Sequence, residues 1–212
     1  LIEIGHRQAV EKGYKLSFLW GHPEYYPRYG YKKKAFYQGG VKLNLAGIPD
    51  YNDELKLRNP RCSDLPQLIE LWKKNFSDSG LSILPGDSIV DWVSHTKNVK
   101  KKVVKVEDKI KGYLRYNKGS ENKPTMLLAD DDKTLLTIIS YLKSEIEGEI
   151  TEFILPLHPN SNPVKKIKNN ISYTVNLVTH EAFMINYLTE DISKNVKEKR
   201  GLFILPPHFD VA

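Results

Sequence analysis

From Leu55 to Leu155 the spacing of apolar residues switches between a period of two and a period of 3.6, and nothing else constrains the fold as tightly. Leu55 to Arg58 is a short strand. Ser63-Asp64 then offers a cap, with Gln67 completing a capping-box-like start. Leu65, Leu68, Ile69, Leu71, Trp72 and Phe76 follow as an amphipathic helix. After a loop over Ser77 to Gly86, Ile89, Trp92 and Val93 mark a second short helix. Strands are predicted at Val103 to Glu107, Ile110 to Tyr116 and Thr125 to Ala129, the first two joined as a hairpin at Glu107-Asp108-Lys109. Asp130-Asp131-Asp132 places carboxylates at the positive start of a helix from Lys133 to Ile146, whose buried stripe is Leu135, Leu136, Ile139 and Leu142. Gly148 ends it, and Ile150 to Leu155 is again a strand.

The flanks continue this alternation. Leu1 to Lys12 is a helix with Ile2, Ile4, Ala9 and Val10 apolar and Gly13 as its closing residue. It begins with no capping residue before it, so further sequence is expected upstream. Tyr14 to Trp20 is a strand, Gly21-His22-Pro23 breaks it, and Pro23 starts a short helical turn through Tyr29. Gly30 stops the turn, and strands are predicted at Tyr31 to Tyr37 and Val41 to Leu45. Gly47 to Glu54 is the most linker-like stretch. The expected organisation is therefore residues 1–46, a linker at 47–54, a second domain at 55–190 and an extension at 191–212. In the tail, Pro163 to Lys168 is a small basic helix, and Tyr173 to Val178 with Ala182 to Leu188 forms a closing hairpin. Asp191 to Arg200 is a polar helix and Leu202 to Leu205 a last strand.

Composition removes several classes. No apolar run reaches the roughly 18 residues of a membrane helix, so no membrane partner is expected. Cys62 is the only cysteine, so no intrachain disulfide can form and a cytoplasmic setting is expected. Lys, Glu, Ile and Tyr richness with few Met and Cys points to a thermophilic source. The net charge of +6 is densest over Lys97 to Lys111, where lysines alternate with valines. This reads as a strand with one solvated face. A nucleic-acid groove would want aromatics in the same stretch, and there are none, so nucleic acid is not the expected partner.

One continuous word carries a family resemblance: Leu19-Trp20-Gly21-His22-Pro23-Glu24-Tyr25-Tyr26-Pro27-Arg28-Tyr29-Gly30-Tyr31, preceded by the helix from Leu1-Ile2 to Gly13-Tyr14. It resembles the second half of a GNAT (GCN5-related) N-acetyltransferase domain, with Trp20 inserted before Gly21 and tyrosines at positions 29 and 31. The resemblance implies a GNAT-like mixed, mostly antiparallel sheet flanked by helices, of the α/β (α+β) class, with an incomplete half-domain first. It implies acetyl-CoA as cosubstrate and a small-molecule or peptide amine as acceptor. An amine attacks the thioester, and a phenol beside the sulfur supplies the leaving thiolate with a proton. By family spacing that phenol is Tyr26, four residues before Gly30. Tyr25 is its neighbour in the coenzyme region, and Gly21 ends the strand whose edge admits the pantetheine arm. The bland alternatives are half-buried packing tyrosines and a turn glycine. Pro27 is expected to hold Tyr26 away from the helical region. His22 has no partner at metal spacing and reads as a turn residue; no metal ligands are expected.

The family holds the coenzyme pyrophosphate on an Arg/Gln-x-x-Gly-x-Gly/Ala loop at a helix N-terminus, which would fall before Leu1. The fragment alone is therefore expected to be inactive. The second block repeats the family order with three aspartates and no glycine where that loop belongs, as a degenerate copy would. A non-catalytic interaction or acceptor-binding module is the rival reading. An exposed sheet edge in residues 1–46 is expected to pair with the second domain or with another copy.

Overall fold

The computed structural model describes residues 1–34, 37–50, 56–77, 81–82, 84–157, 159, 161–167, 171–190, 192 and 203–204. The strands are β1 (Leu16–Trp20), β2 (Lys32–Lys33), β3 (Tyr37–Asn44), β4 (Lys56–Arg58), β5 (Leu81–Ser82), β6 (Val99–Val106), β7 (Lys109–Asn117), β8 (Met126–Ala129), β9 (Glu152–Leu155), β10 (Tyr173–Thr179), β11 (Phe183–Tyr187) and β12 (Phe203–Ile204). The helices are α1 (Ile2–Glu11), α2 (Leu65–Phe76), α3 (Asp132–Ser144) and α4 (Asn162–Ile167). The mixed α+β class with antiparallel pairing is as the sequence implies.

The chain divides into two compact units. Unit 1 comprises residues 1–38, 79–81 and 177–203, and unit 2 comprises 39–78, 82–176 and 204–212. The division does not fall at 47–54. Ile48 is buried in the core of unit 2, and β3, upstream of it, pairs with β9 from Val41↔Leu155 to Asn44↔Glu152. Tyr51 to Leu55 lie outside the described residues.

In unit 1 the sheet order is β1-β11-β2, all antiparallel. Strand β11 is therefore not half of a hairpin with β10, which lies beside β3 in another sheet. Its apolar residues Phe183, Met184 and Ile185 alternate faces and are all buried, which a central strand can satisfy and an outer hairpin arm cannot. The strand predicted at Tyr31 to Tyr37 is two elements, because Lys34 takes the left-handed region (φ 54) and breaks the ladder. The residues of α1 are exposed or half-buried; Gly13, at φ 81, donates its N–H to the Val10 carbonyl and closes the helix.

In unit 2 the order is β4-β6-β7-β8. Register sets Leu114 and Tyr116 of β7 on the face that shares a core with Leu135, Ile138 and Ile139 of α3. Tyr113 faces the other way, onto Trp92, which in turn packs edge-on against Trp72 of α2. Strand β6 starts at Val99, earlier than the alternation signalled, because Val99 to Lys102 pair fully with β7. The polar helix expected at Asp191 to Arg200 lies almost wholly outside the described residues; of the last strand, Phe203–Ile204 is described.

Candidate functional site

The Tyr26 region of unit 1 is built by the end of β1 and a single 3-10 turn, Tyr26–Tyr29. Pro27 lies in the first turn, where its missing N–H costs nothing, and Gly30 ends the turn at φ 86. Tyr26 thus opens the turn rather than being held out of it. The steric bias of a residue before proline is a preference, and it yields here to the turn that starts at Tyr26; the bond from the Gly30 N–H to the Pro27 carbonyl at 3.0 Å closes the other end.

Tyr26 is half-buried and held on several sides. A Cβ added to Gly21 would lie 2.5 Å from Tyr26 Cε2, so the ring occupies the space glycine leaves open. Tyr25 packs edge-on against it with centroids 5.0 Å apart, and Tyr31 does so at 5.9 Å. Tyr31 is itself fixed: its hydroxyl lies 2.6 Å from Ser17 Oγ and 3.1 Å from His6 Nε2. Asn186 of β11 donates to the Tyr29 carbonyl at 2.9 Å and closes this layer. The ring is therefore oriented while its hydroxyl makes no hydrogen bond among the described residues.

Tyr25 is 41% exposed, with the Arg28 guanidinium 3.9 Å above its ring and Arg28 Nε donating to the Tyr25 carbonyl at 2.9 Å. A pocket of about 440 Å³ is lined by His22, Glu24, Tyr25, Tyr26 and Arg28. His22 Nδ1 accepts the Glu24 N–H at 3.3 Å, the turn role expected of it, and also faces this pocket. Hydrogen bonding between the Tyr25 and Tyr29 hydroxyls, at 3.4 Å, raises the Tyr29 pKa. The structure thus brings Gly21, Tyr25 and Tyr26 together. Sequence reasoning missed Arg28, Tyr31, His6 and Asn186; the last two are distant in sequence, and no local pattern marks them. No cluster that could hold a metal occurs among the described residues.

The corresponding stretch of unit 2 is closed by its own side chains. Asp131 caps α3, accepting the Thr134 N–H at 2.8 Å. Asp130 pairs with Lys74 and Lys111; burial alone would raise its pKa, and hydrogen bonds from the two ammonium groups outweigh that and lower it. The buried amide of Asn75 accepts the Ala129 N–H and donates to the Ala129 carbonyl, both at 3.1 Å. The end of β8 is thereby satisfied from α2.

No family model matches the chain, and no curated protein matches it. Solved structures do. A GCN5-related N-acetyltransferase from Anabaena variabilis superposes with TM-score 0.61 at 12% identity, covering 89% of this chain and 50% of that one. A probable N-acyltransferase from Enterococcus faecalis gives 0.61 at 12% identity, covering 88% and 48%. A GCN5-related N-acetyltransferase from Kribbella flavida gives 0.58 at 16% identity, covering 89% and 47%. The chain spans about half the length of these structures. At such identities the likeness is one of architecture: the chain carries the fold of the GCN5-related N-acetyltransferases.

Proposed function

We propose that the chain is part of an acetyl-CoA-dependent N-acetyltransferase in which Tyr26 is the general acid and unit 2 is a non-catalytic partner. The observation that carries this reading is the Tyr26 ring, oriented by Gly21, Tyr25 and Tyr31, with its hydroxyl making no hydrogen bond among the described residues and lining a pocket. A tyrosine used only for packing would more often find a partner for its hydroxyl. In the reaction an amine nitrogen attacks the acetyl carbonyl, the C–S bond breaks, and Tyr26 passes its proton to the departing thiolate. The phenolate regains a proton as the product nitrogen loses one to solvent.

In unit 2 the helix N-terminus is already occupied by Asp131, and the carboxylate of Asp130, next to it in sequence, takes up Lys74 and Lys111. Both features oppose coenzyme binding there. Strand β1 is an outer strand of its sheet among the described residues, so a strand from the rest of the parent or from a second copy would pair with it. The test is the parent protein with its upstream sequence, assayed for acetyl-CoA consumption against a panel of amines. Tyr26→Phe is expected to lower kcat by about 10²–10⁴-fold with little change in the acetyl-CoA KM. The 212-residue chain alone is expected to show neither binding nor turnover. A parent that fails to bind acetyl-CoA would leave the interaction-module reading in its place.

A further inference from the structure

We propose that unit 2 carries a binding site for a small phosphorylated polyol, sharing no residue with the Tyr26 pocket. A cavity of about 830 Å³ opens where the start of β6, the end of β7 and the C-terminal end of α3 meet. Lys100, Lys102, Lys118, Tyr141, Glu145 and Glu147 line it, and its volume is that of a small-molecule site.

The lysines stand in unusual places. Lys100 is directly opposite Tyr116 and Lys102 opposite Leu114, and both partners belong to the core shared with α3. Directly opposed residues share a face, so the two lysines lie on the α3 side of the sheet, Lys100 exposed and Lys102 half-buried, where period-two alternation would put apolar side chains. Strand β4 covers β6 only at Val103 to Lys105, and no other strand among the described residues pairs with this end on that side. The ammonium groups of Lys100, Lys102 and Lys118 make no ion pair or hydrogen bond among the described residues. Elsewhere in unit 2, Lys42, Lys105, Lys111 and Lys143 are all paired.

The acidic groups of the cavity explain why the ligand is not a polyanion. Glu145 accepts from the Tyr116 hydroxyl at 3.3 Å, and Glu121 is buried, accepting the Gly119 N–H at 2.8 Å. Glu147 adds a third carboxylate. A nucleic-acid strand would be repelled by these groups. A phosphomonoester bearing vicinal hydroxyls uses both sets: its phosphate meets the lysine ammonium groups, and its hydroxyls donate to the carboxylates.

The test is calorimetric titration of the full chain with ribose 5-phosphate, AMP, inorganic phosphate and ribose. Ribose 5-phosphate is expected to bind with a millimolar or lower Kd, more tightly than phosphate or ribose alone. Lys100→Ala/Lys102→Ala is expected to weaken it at least about tenfold, the loss of one charge-assisted hydrogen bond or more. Should that variant fold poorly, Lys118→Ala, on an exposed turn, is expected to weaken binding in the same direction. Tighter binding of AMP would identify a nucleotide, and equal binding a sugar phosphate. The proposal is overturned if no probe binds at millimolar concentration, or if binding is unchanged in both variants. The lysines would then serve only to keep the open end of β6 from pairing with other chains.

Discussion

Gly21→Ala should act chiefly through Tyr26, and a double-mutant cycle can show it. The new methyl would come 2.5 Å from Tyr26 Cε2, and 3.2 Å from both Tyr26 Cδ2 and Leu19 Cδ1. Carbon atoms pack at about 3.5–4.0 Å, so the ring must move by roughly 1 Å. Overpacking of this kind costs about 1–3 kcal/mol. Removing a glycine returns about 0.4–1 kcal/mol through the unfolded chain. The net expectation is a destabilisation of about 1 kcal/mol with Tyr26 present. In a Tyr26→Ala background the severe clash is gone and only the 3.2 Å contact with the flexible end of Leu19 is left, so Gly21→Ala should be close to neutral. Urea unfolding of the chain and the three variants would then give a coupling of about 1–2 kcal/mol. If the two changes add to within about 0.3 kcal/mol, Tyr26 does not rest on Gly21 and the account of its orientation fails. In a catalytically competent parent, the same displacement is expected to cost about 10²-fold in kcat.

Other expectations follow from unit 2. Asn75→Leu strands the Ala129 N–H and carbonyl and should destabilise by about 3 kcal/mol, read as a lower urea midpoint at constant slope. Gly112→Ala would place a methyl 2.8 Å from Ile138 Cδ1 and 3.1 Å from the Leu128 carbonyl, costing about 1–3 kcal/mol in the same assay. Arg58 donates to both oxygens of Asp64 at 2.7 Å and holds its carboxyl below the usual carboxylate range. A depressed folded pKa contributes stability that is present above the unfolded value, about 3.9, and is lost as pH falls through the folded one. Stability measured from neutral pH downward should therefore drop below about pH 4, and Asp64→Asn should flatten that limb.

The elements that the sequence made legible are those whose signal is local. The stripe of α2, with Leu68, Leu71, Trp72 and Phe76 all buried, follows from spacing alone. So do α3 with its aspartate cap and the β6–β7 hairpin. What was not legible depends on partners far along the chain. Nothing in Phe183 to Tyr187 says that this strand inserts between β1 and β2, because a buried apolar run has the same composition wherever it is buried. The burial of Ile48, inside the stretch Gly47 to Glu54 read as a linker, was hidden for a related reason. Turn-forming residues mark a change of direction, and only the burial of Ile48 tells that the change occurs inside a core.

The site divides in the same way. Tyr26 was found through a word of contiguous residues that also ends on Tyr31, whereas His6 and Asn186, which fix its surroundings, are joined to it only by the fold. The lysine-rich stretch shows how a correct local observation can mislead. No aromatic lies within Lys97 to Lys111, yet pairing with β7 sets Tyr116 directly opposite Lys100. Sequence proximity asks whether chemistry is written in one segment; a sheet assembles it from two, and the register decides which residues meet.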